Sequence, residues 1–368
     1  MMDVWYYPRQ SLAEKYLKIL EVGISSNLAI IAPRRKGKTL FVLNDISTLA
    51  RKENYFPVYA SLWQNINSPH EGLILALEES IEALDKQITI GRLLKMKIKK
   101  TSLGNELIGK IEVEFADSPK KPTSRDLILL DQLLGRLQGK VKHKKLLLLI
   151  DEVQHLATSS HFDSLTHALR TMLDKRLGKI KTIFTGSSRH YMNLLFNESQ
   201  SPFYHFVETV PFPELGDEFL TFISENLRKR HKISTSIKSL THAFSAVDQS
   251  PYWMMKIISH MITFDENINA SINYVSQLIE AAEGFDRIKK AMKPVDKIVF
   301  LALSSGKSPF SKELLAKIER ETPVKGIYPN VQRSLQRLIE QHLISQVEKG
   351  QYKIEKPGFK KYLLNKEA

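Results

Sequence analysis

Cysteine is absent from this 368-residue chain. That removes disulfides, thiolate catalysis and cysteine-based zinc sites, and it agrees with a reducing cytoplasm. No apolar run approaches the roughly 18 residues of a membrane span, and the N-terminus lacks a signal-peptide shape. No membrane contact and a cytoplasmic location are therefore expected. Acidic residues are the scarcer charge: 40 Asp and Glu stand against 54 Lys and Arg, a net charge of +14. Such an excess suits a polyanion such as nucleic acid as partner, or serves solubility alone. His143, His155, His161 and His167 surround one motif but match no metal-ligand spacing, and they read as surface or helix-terminus histidines. What is present is apolar mass enough for real cores, 42% hydrophobic with 26% charged residues, over a length that suits two or three domains.

The most informative stretch is Ala32-Pro33-Arg34-Arg35-Lys36-Gly37-Lys38-Thr39. It follows the apolar segment Leu28 to Ile31 and opens a helical pattern at Leu40. This is the strand–loop–helix setting of a phosphate-binding loop, whose backbone N–H groups and helix N-terminus face phosphate oxygens. Residues Pro33 to Leu40 form the expected nucleotide-binding stretch. Lys38 is expected to reach the β- and γ-phosphates and Thr39 to hold Mg2+. Ala32 stands where the pattern usually has its first glycine, while Gly37 beside the phosphates is kept.

A second motif changes the weight of the first. Leu146-Leu147-Leu148-Leu149-Ile150 is an uninterrupted aliphatic run, as in a strand buried on both faces of a parallel sheet, and Asp151-Glu152 follows it. Alone, the acidic pair reads as an ordinary helix start. Downstream of a phosphate loop it reads as Asp151 holding the metal through water and Glu152 deprotonating the attacking water.

Along the chain, a helical lead segment with Ser11 as its N-cap precedes the first strand, and a second strand spans Phe56 to Leu62. Residues 85–125 are lysine-rich, with an alternating stretch from Lys110 to Phe115, and read as an insertion: a β-hairpin or a solvated charged loop. Helices from Asp126 and from Phe162, and strands at Ile180 to Thr185 and Phe206 to Val210, complete a core expected to end at 213. The pattern from 214 to 294 is helical throughout and is expected to be a lid over the nucleotide. From 295 to 368 a winged helix is expected. Its third helix, starting near Asn330, would bury Val331, Leu335, Leu338 and Ile339 and expose Arg333 and Arg337; a hairpin wing would follow, bearing Lys349 and Lys353. The fold class is thus α/β: a P-loop NTPase parallel sheet of the additional-strand type, with a helical lid and a C-terminal winged helix.

With these residues in view, the chain from about Tyr7 to Met255 resembles the archaeal-ATPase branch of the STAND/AAA+ superfamily, including its bacterial relatives. The likeness rests on Tyr7-Pro8-Arg9-Gln10, the phosphate loop, Leu149-Ile150-Asp151-Glu152-Val153-Gln154, and Phe184-Thr185-Gly186-Ser187-Ser188-Arg189 followed by Ser201-Pro202-Phe203-Tyr204. The resemblance implies ATP as the nucleotide. It implies Ser187 as the sensor of the γ-phosphate or its water, with Arg189 as a charge stabiliser. It implies Arg9 beside the base and sugar. The family's lid motif Gly-x-Pro corresponds here to Gln249-Ser250-Pro251, so Pro251 is kept and the glycine is not.

Two functions fit. One is a DNA-associated ATPase switching between ATP and ADP states in replication, transposition or mobile-element control, with duplex DNA held by Arg333, Arg337, Lys349 and Lys353 and homo-oligomers formed on ATP or DNA. The other is a signalling switch whose winged helix is a lever and whose partner is a protein.

Overall fold

The computed structural model describes residues 4–86, 118–141, 143–324, 326–348 and 350–365. The chain divides into two compact units, 1–213 and 214–368. The first is built on five parallel strands: β1 (Asn27–Ile31), β2 (Tyr55–Ser61), β3 (Lys145–Asp151), β4 (Ile180–Gly186) and β5 (Glu208–Val210), in spatial order β2-β3-β4-β1-β5. The continuous aliphatic run in β3 is explained by helices on both faces. Leu147 and Leu149 enter one core with Leu28, Ile30, Tyr16, Phe41 and Ile46, while Leu146, Leu148 and Ile150 enter the other with Leu73, Leu130, Leu134 and Leu169. Each such leucine contributes roughly 1.5–3 kcal/mol by burial.

Several boundaries differ from the sequence expectation by one to a few residues, and three of them have a visible cause or cap. The first helix is Gln10–Val22, and Arg9, not Ser11, occupies the cap position, with no side-chain cap bond. The last strand begins at Glu208 rather than Phe206, because Phe206 stacks on Phe203 with ring centroids 5.1 Å apart and joins the aromatic core around Phe184. A helix begins at Ser124, capped by Thr123 in a reciprocal capping box with Asp126. Most of the expected insertion, including the alternating Lys110 to Phe115 stretch, lies outside the described residues.

In the second unit, helices Pro294–Leu303, Lys312–Glu321 and Ile327–Glu340 are followed by the antiparallel pair β6 (Ile344–Glu348) and β7 (Gln351–Ile354) and by a last helix, Pro357–Asn365. This is the winged-helix pattern. Its third helix starts at Ile327, after Gly326 at φ 73°. It buries Val331, Leu335, Leu338 and also Ser334, while Ile339 is only half-buried. The wing core reaches back past residue 294: Phe285 is buried against Phe359 and Tyr362, with centroids 5.2 and 5.4 Å away.

Candidate nucleotide-binding site

The C-terminal ends of β1, β3 and β4 bring the phosphate loop, the acidic pair and the Gly-Ser-Ser segment together. In the loop, the left-handed backbone falls on Arg35 (φ 64°) and Gly37 (φ 90°). Ala32 is not among the positive-φ residues, and its N–H continues the sheet by donating to the Gly186 carbonyl at 3.2 Å. An alanine therefore serves where the pattern usually has glycine, and the demand for glycine rests at Gly37. The helix Lys38–Phe41 follows, widens into a π turn over Val42–Ile46 and resumes as Ser47–Lys52.

Lys38 is buried, and its ammonium donates to the loop's own carbonyls, Ala32 O at 2.6 Å and Pro33 O at 3.0 Å. Burial is the main influence and pushes its pKa down. The charges of Glu152 and Asp151 oppose that, and those of Arg34 and Arg189 add to it. So Arg34 and Arg189 lie within electrostatic reach of Lys38, and three cations meet two carboxylates at one helix N-terminus. Arg34 also stacks over Trp63, 4.5 Å from its ring centroid. Leu40 is 43% exposed on the first helical turn.

Asp151 is gripped by hydroxyls. Thr39 Oγ1 donates to Oδ2 at 2.7 Å and Tyr59 to the same oxygen at 2.9 Å; Thr185 and the Glu152 N–H donate to Oδ1. Burial, then the Asp151 charge, raises the Tyr59 phenol well above its ordinary pKa, so it remains a donor. Glu152 adopts a left-handed backbone (φ 57°), which for a non-glycine residue carries strain of about 1–3 kcal/mol. Its carboxylate accepts from Ser187 Oγ at 2.9 Å and from Gln154 Nε2. Burial first, and the Asp151 charge second, raise its pKa. Gly186 precedes Ser187 because a Cβ there would collide with the Met192 side chain on the helix Arg189–Phe196.

These groups suit a magnesium nucleotide. The surplus of cations at a helix N-terminus matches a polyphosphate. Thr39 and Asp151 offer hard oxygens already in contact, and a site with few protein ligands is what Mg2+ uses when phosphate oxygens and water complete its shell. Among the described residues no group of three or more His, Cys, Asp or Glu could hold a metal alone. His155 is not a surface residue: it is buried and bonds the Ile66 carbonyl at 2.6 Å.

Arg9 stacks over Phe212 at 4.4 Å and donates to the Pro213 carbonyl at 2.5 Å, while its backbone N–H bonds Asp45 in the π turn at 3.2 Å. Pro251 belongs to the second unit, at the start of the helix Pro251–Phe264, where Ser250 is the cap. Gln249 holds φ 52°, which accounts for glycine as the usual residue there. On the wing, Arg333 and Lys353 are exposed, and Lys349 lies outside the described residues. Arg337 is 27% exposed, and its guanidinium pairs with both oxygens of Asp296, one at 3.0 Å, a carboxylate that is 1% exposed; part of its hydrogen-bonding capacity is thus spent inside the wing. Tyr59, Thr185 and Gln154 are site residues that no sequence expectation assigned; all sit in or beside strands whose apolar pattern reads only as core.

No model of a known protein family matches the chain, and no curated protein matches it. Solved structures do. A Walker-type ATPase of Pyrococcus abyssi superposes with TM-score 0.64 at 16% identity, over 98% of this chain and 96% of that one. The ORC2 protein of Aeropyrum pernix in its ADP form gives TM-score 0.57 at 15% identity, over 98% and 95%. The same protein in ADPNP-ADP complexes gives 0.56 at 16%, over 99% and 98%. The chain has the fold of an AAA+ P-loop ATPase with a C-terminal winged helix. At such identities the likeness speaks for the fold, and the chemistry rests on the residues described above.

Proposed function

We propose that this protein binds and hydrolyses ATP with Mg2+, that the nucleotide state switches its conformation, and that it works in association with duplex DNA. The observation that carries the hydrolytic part is the contact of Thr39 with Asp151, with Glu152 beside it: loop and acidic pair, 112 positions apart, share one hydrogen bond. Lys38 exchanges the loop carbonyls for phosphate oxygens when nucleotide enters. Glu152, its pKa raised by burial, takes the proton from the attacking water as the terminal P–O bond breaks to give ADP and phosphate. Ser187 orients that carboxylate, and Arg189 and Arg34 stabilise the charge that develops on the phosphate. Mg2+, held by Thr39 and through water by Asp151, would neutralise phosphate charge. The ADP form and ADPNP-ADP complexes of the ORC2 protein support an adenine nucleotide. Arg9 is proposed to border the base and sugar.

DNA association is supported by the net charge of +14 and by Arg333 and Lys353 exposed on the third helix and wing. One observation favours the second reading, a signalling switch with the wing as lever. The last helix is anchored on the turn before Pro251: Lys361 donates to the Ser245 carbonyl at 3.2 Å and stands 3.9 Å from Asp248. Steady-state ATP hydrolysis with and without duplex DNA, at low and moderate salt, separates the two. Stimulation that fades as salt rises is expected; a slow rate indifferent to DNA would favour the lever and a protein partner.

A further inference from the structure

Gln154 is 3% exposed, two residues beyond Glu152 in the 3-10 turn Val153–Ala157. The left-handed turn at Glu152 folds the chain back, so these two side chains meet. The carboxamide nitrogen of Gln154 makes two bonds, to Glu152 Oε2 and to Ser187 Oγ at 3.1 Å. Ser187 then donates its own hydrogen to the same Glu152 oxygen at 2.9 Å. The three side chains form a closed ring in which every donor has an acceptor. Its direction is fixed, because a carboxylate only accepts, and turning the amide over would set two oxygens face to face.

The other end of the amide argues against a packing role. Gln154 Oε1 is buried and has no hydrogen-bond partner among the described residues. A leucine or methionine fills the same volume without burying an unmet acceptor. The side chain is there for its N–H groups.

We propose that Gln154 is a positioning residue for the hydrolytic base: it holds Glu152 Oε2, together with Ser187, and leaves Oε1 as the oxygen that takes the proton. This rests on the reading of Glu152 as the base in ATP hydrolysis. A carboxylate free to rotate would spend part of its time with neither oxygen aimed at the water, so the loss on removing Gln154 falls on the chemical step and not on nucleotide binding.

The test uses the full chain with Gln154→Met and Gln154→Leu, two variants in case one fails to fold, each measured for kcat, KM for ATP and affinity for ADP. The expected result is a fall in kcat of about 10–100-fold, the usual effect of losing a supporting hydrogen bond behind a functional side chain, with KM and ADP affinity unchanged. Combined with Ser187→Ala, the two losses should be less than multiplicative, because both residues act on one oxygen. Wild-type kcat in Gln154→Met, losses that multiply fully, or a matching loss of ADP affinity in both variants would each overturn the proposal. Glu152→Gln is run alongside. If it hydrolyses at the wild-type rate, the base assignment itself fails; if it is inactive while Gln154→Met is fully active, only the role of Gln154 fails.

Discussion

Arg337 is joined by two hydrogen bonds to Asp296, 41 positions earlier, and the carboxylate it meets is 1% exposed. Two arginines on one helix thereby differ: the half-buried Arg337 is tied to a buried carboxylate, and Arg333 is exposed. Removing Arg337 strands a buried carboxylate, and the Arg337→Met variant should lose about 3 kcal/mol of stability, the low end for a broken buried pair because the arginine is partly exposed. Chemical denaturation checks this; a loss near zero would show that the pair with Asp296 contributes little to the stability of the wing.

Arg333→Ala should behave in the opposite way. Stability should move by no more than about 0.5 kcal/mol, as for an ordinary surface substitution. Duplex DNA affinity should weaken evenly across sequences, with the salt slope reduced by about one. Titrations at two salt concentrations decide it, and unchanged affinity would remove this helix from the proposed DNA surface.

Lys38→Ala should abolish tight nucleotide binding, since it takes away the ammonium held inside the loop. Calorimetric titration with ATP and ADP is the check. Wild-type affinity in that variant would refute the phosphate-loop assignment.

Glu152→Gln should keep ATP binding and lose hydrolysis by about 10²–10⁴-fold, the range for removing a general base. Rapid filtration for binding and phosphate release for turnover measure the two separately.

The same substitution should change the pH dependence of stability without nucleotide. Burial raises the Glu152 pKa above its ordinary 4.5. As pH rises from that value through the folded-state pKa, the unfolded chain gives up its proton first and the folded chain is disfavoured. Glu152→Gln removes this cost, so it should melt higher than the wild type at neutral pH, with the gap narrowing toward acidic pH. A gap that is constant with pH would show that the charge is not its source.

Much of the first unit was legible because its signals are local. The run Leu146 to Ile150, the loop Pro33 to Thr39 and the acidic pair each declare themselves within ten residues. What stayed hidden depends on distant partners. Tyr59 reads as one more apolar residue of β2, and only the parallel register with β3 brings its hydroxyl to Asp151, 92 positions away. Arg337 sits at helical spacing from Arg333, so the pattern alone assigns both to one polar face; the buried acid that claims it lies on another helix. Phe206 has the composition of a strand residue and was drawn into a cluster of rings instead.

The strand order has a consequence for synthesis. β1 is made first of the five strands, yet in the finished sheet it lies between β4 and β5, the last two. Its edges have no strand to bond until residue 180 and beyond have left the ribosome, and parallel pairing over such separations is slow. Through that interval the phosphate loop has no fixed support at its base. On the proposed function, nucleotide would bind firmly only to a nearly completed first unit, and its capture would mark the end of that unit's folding.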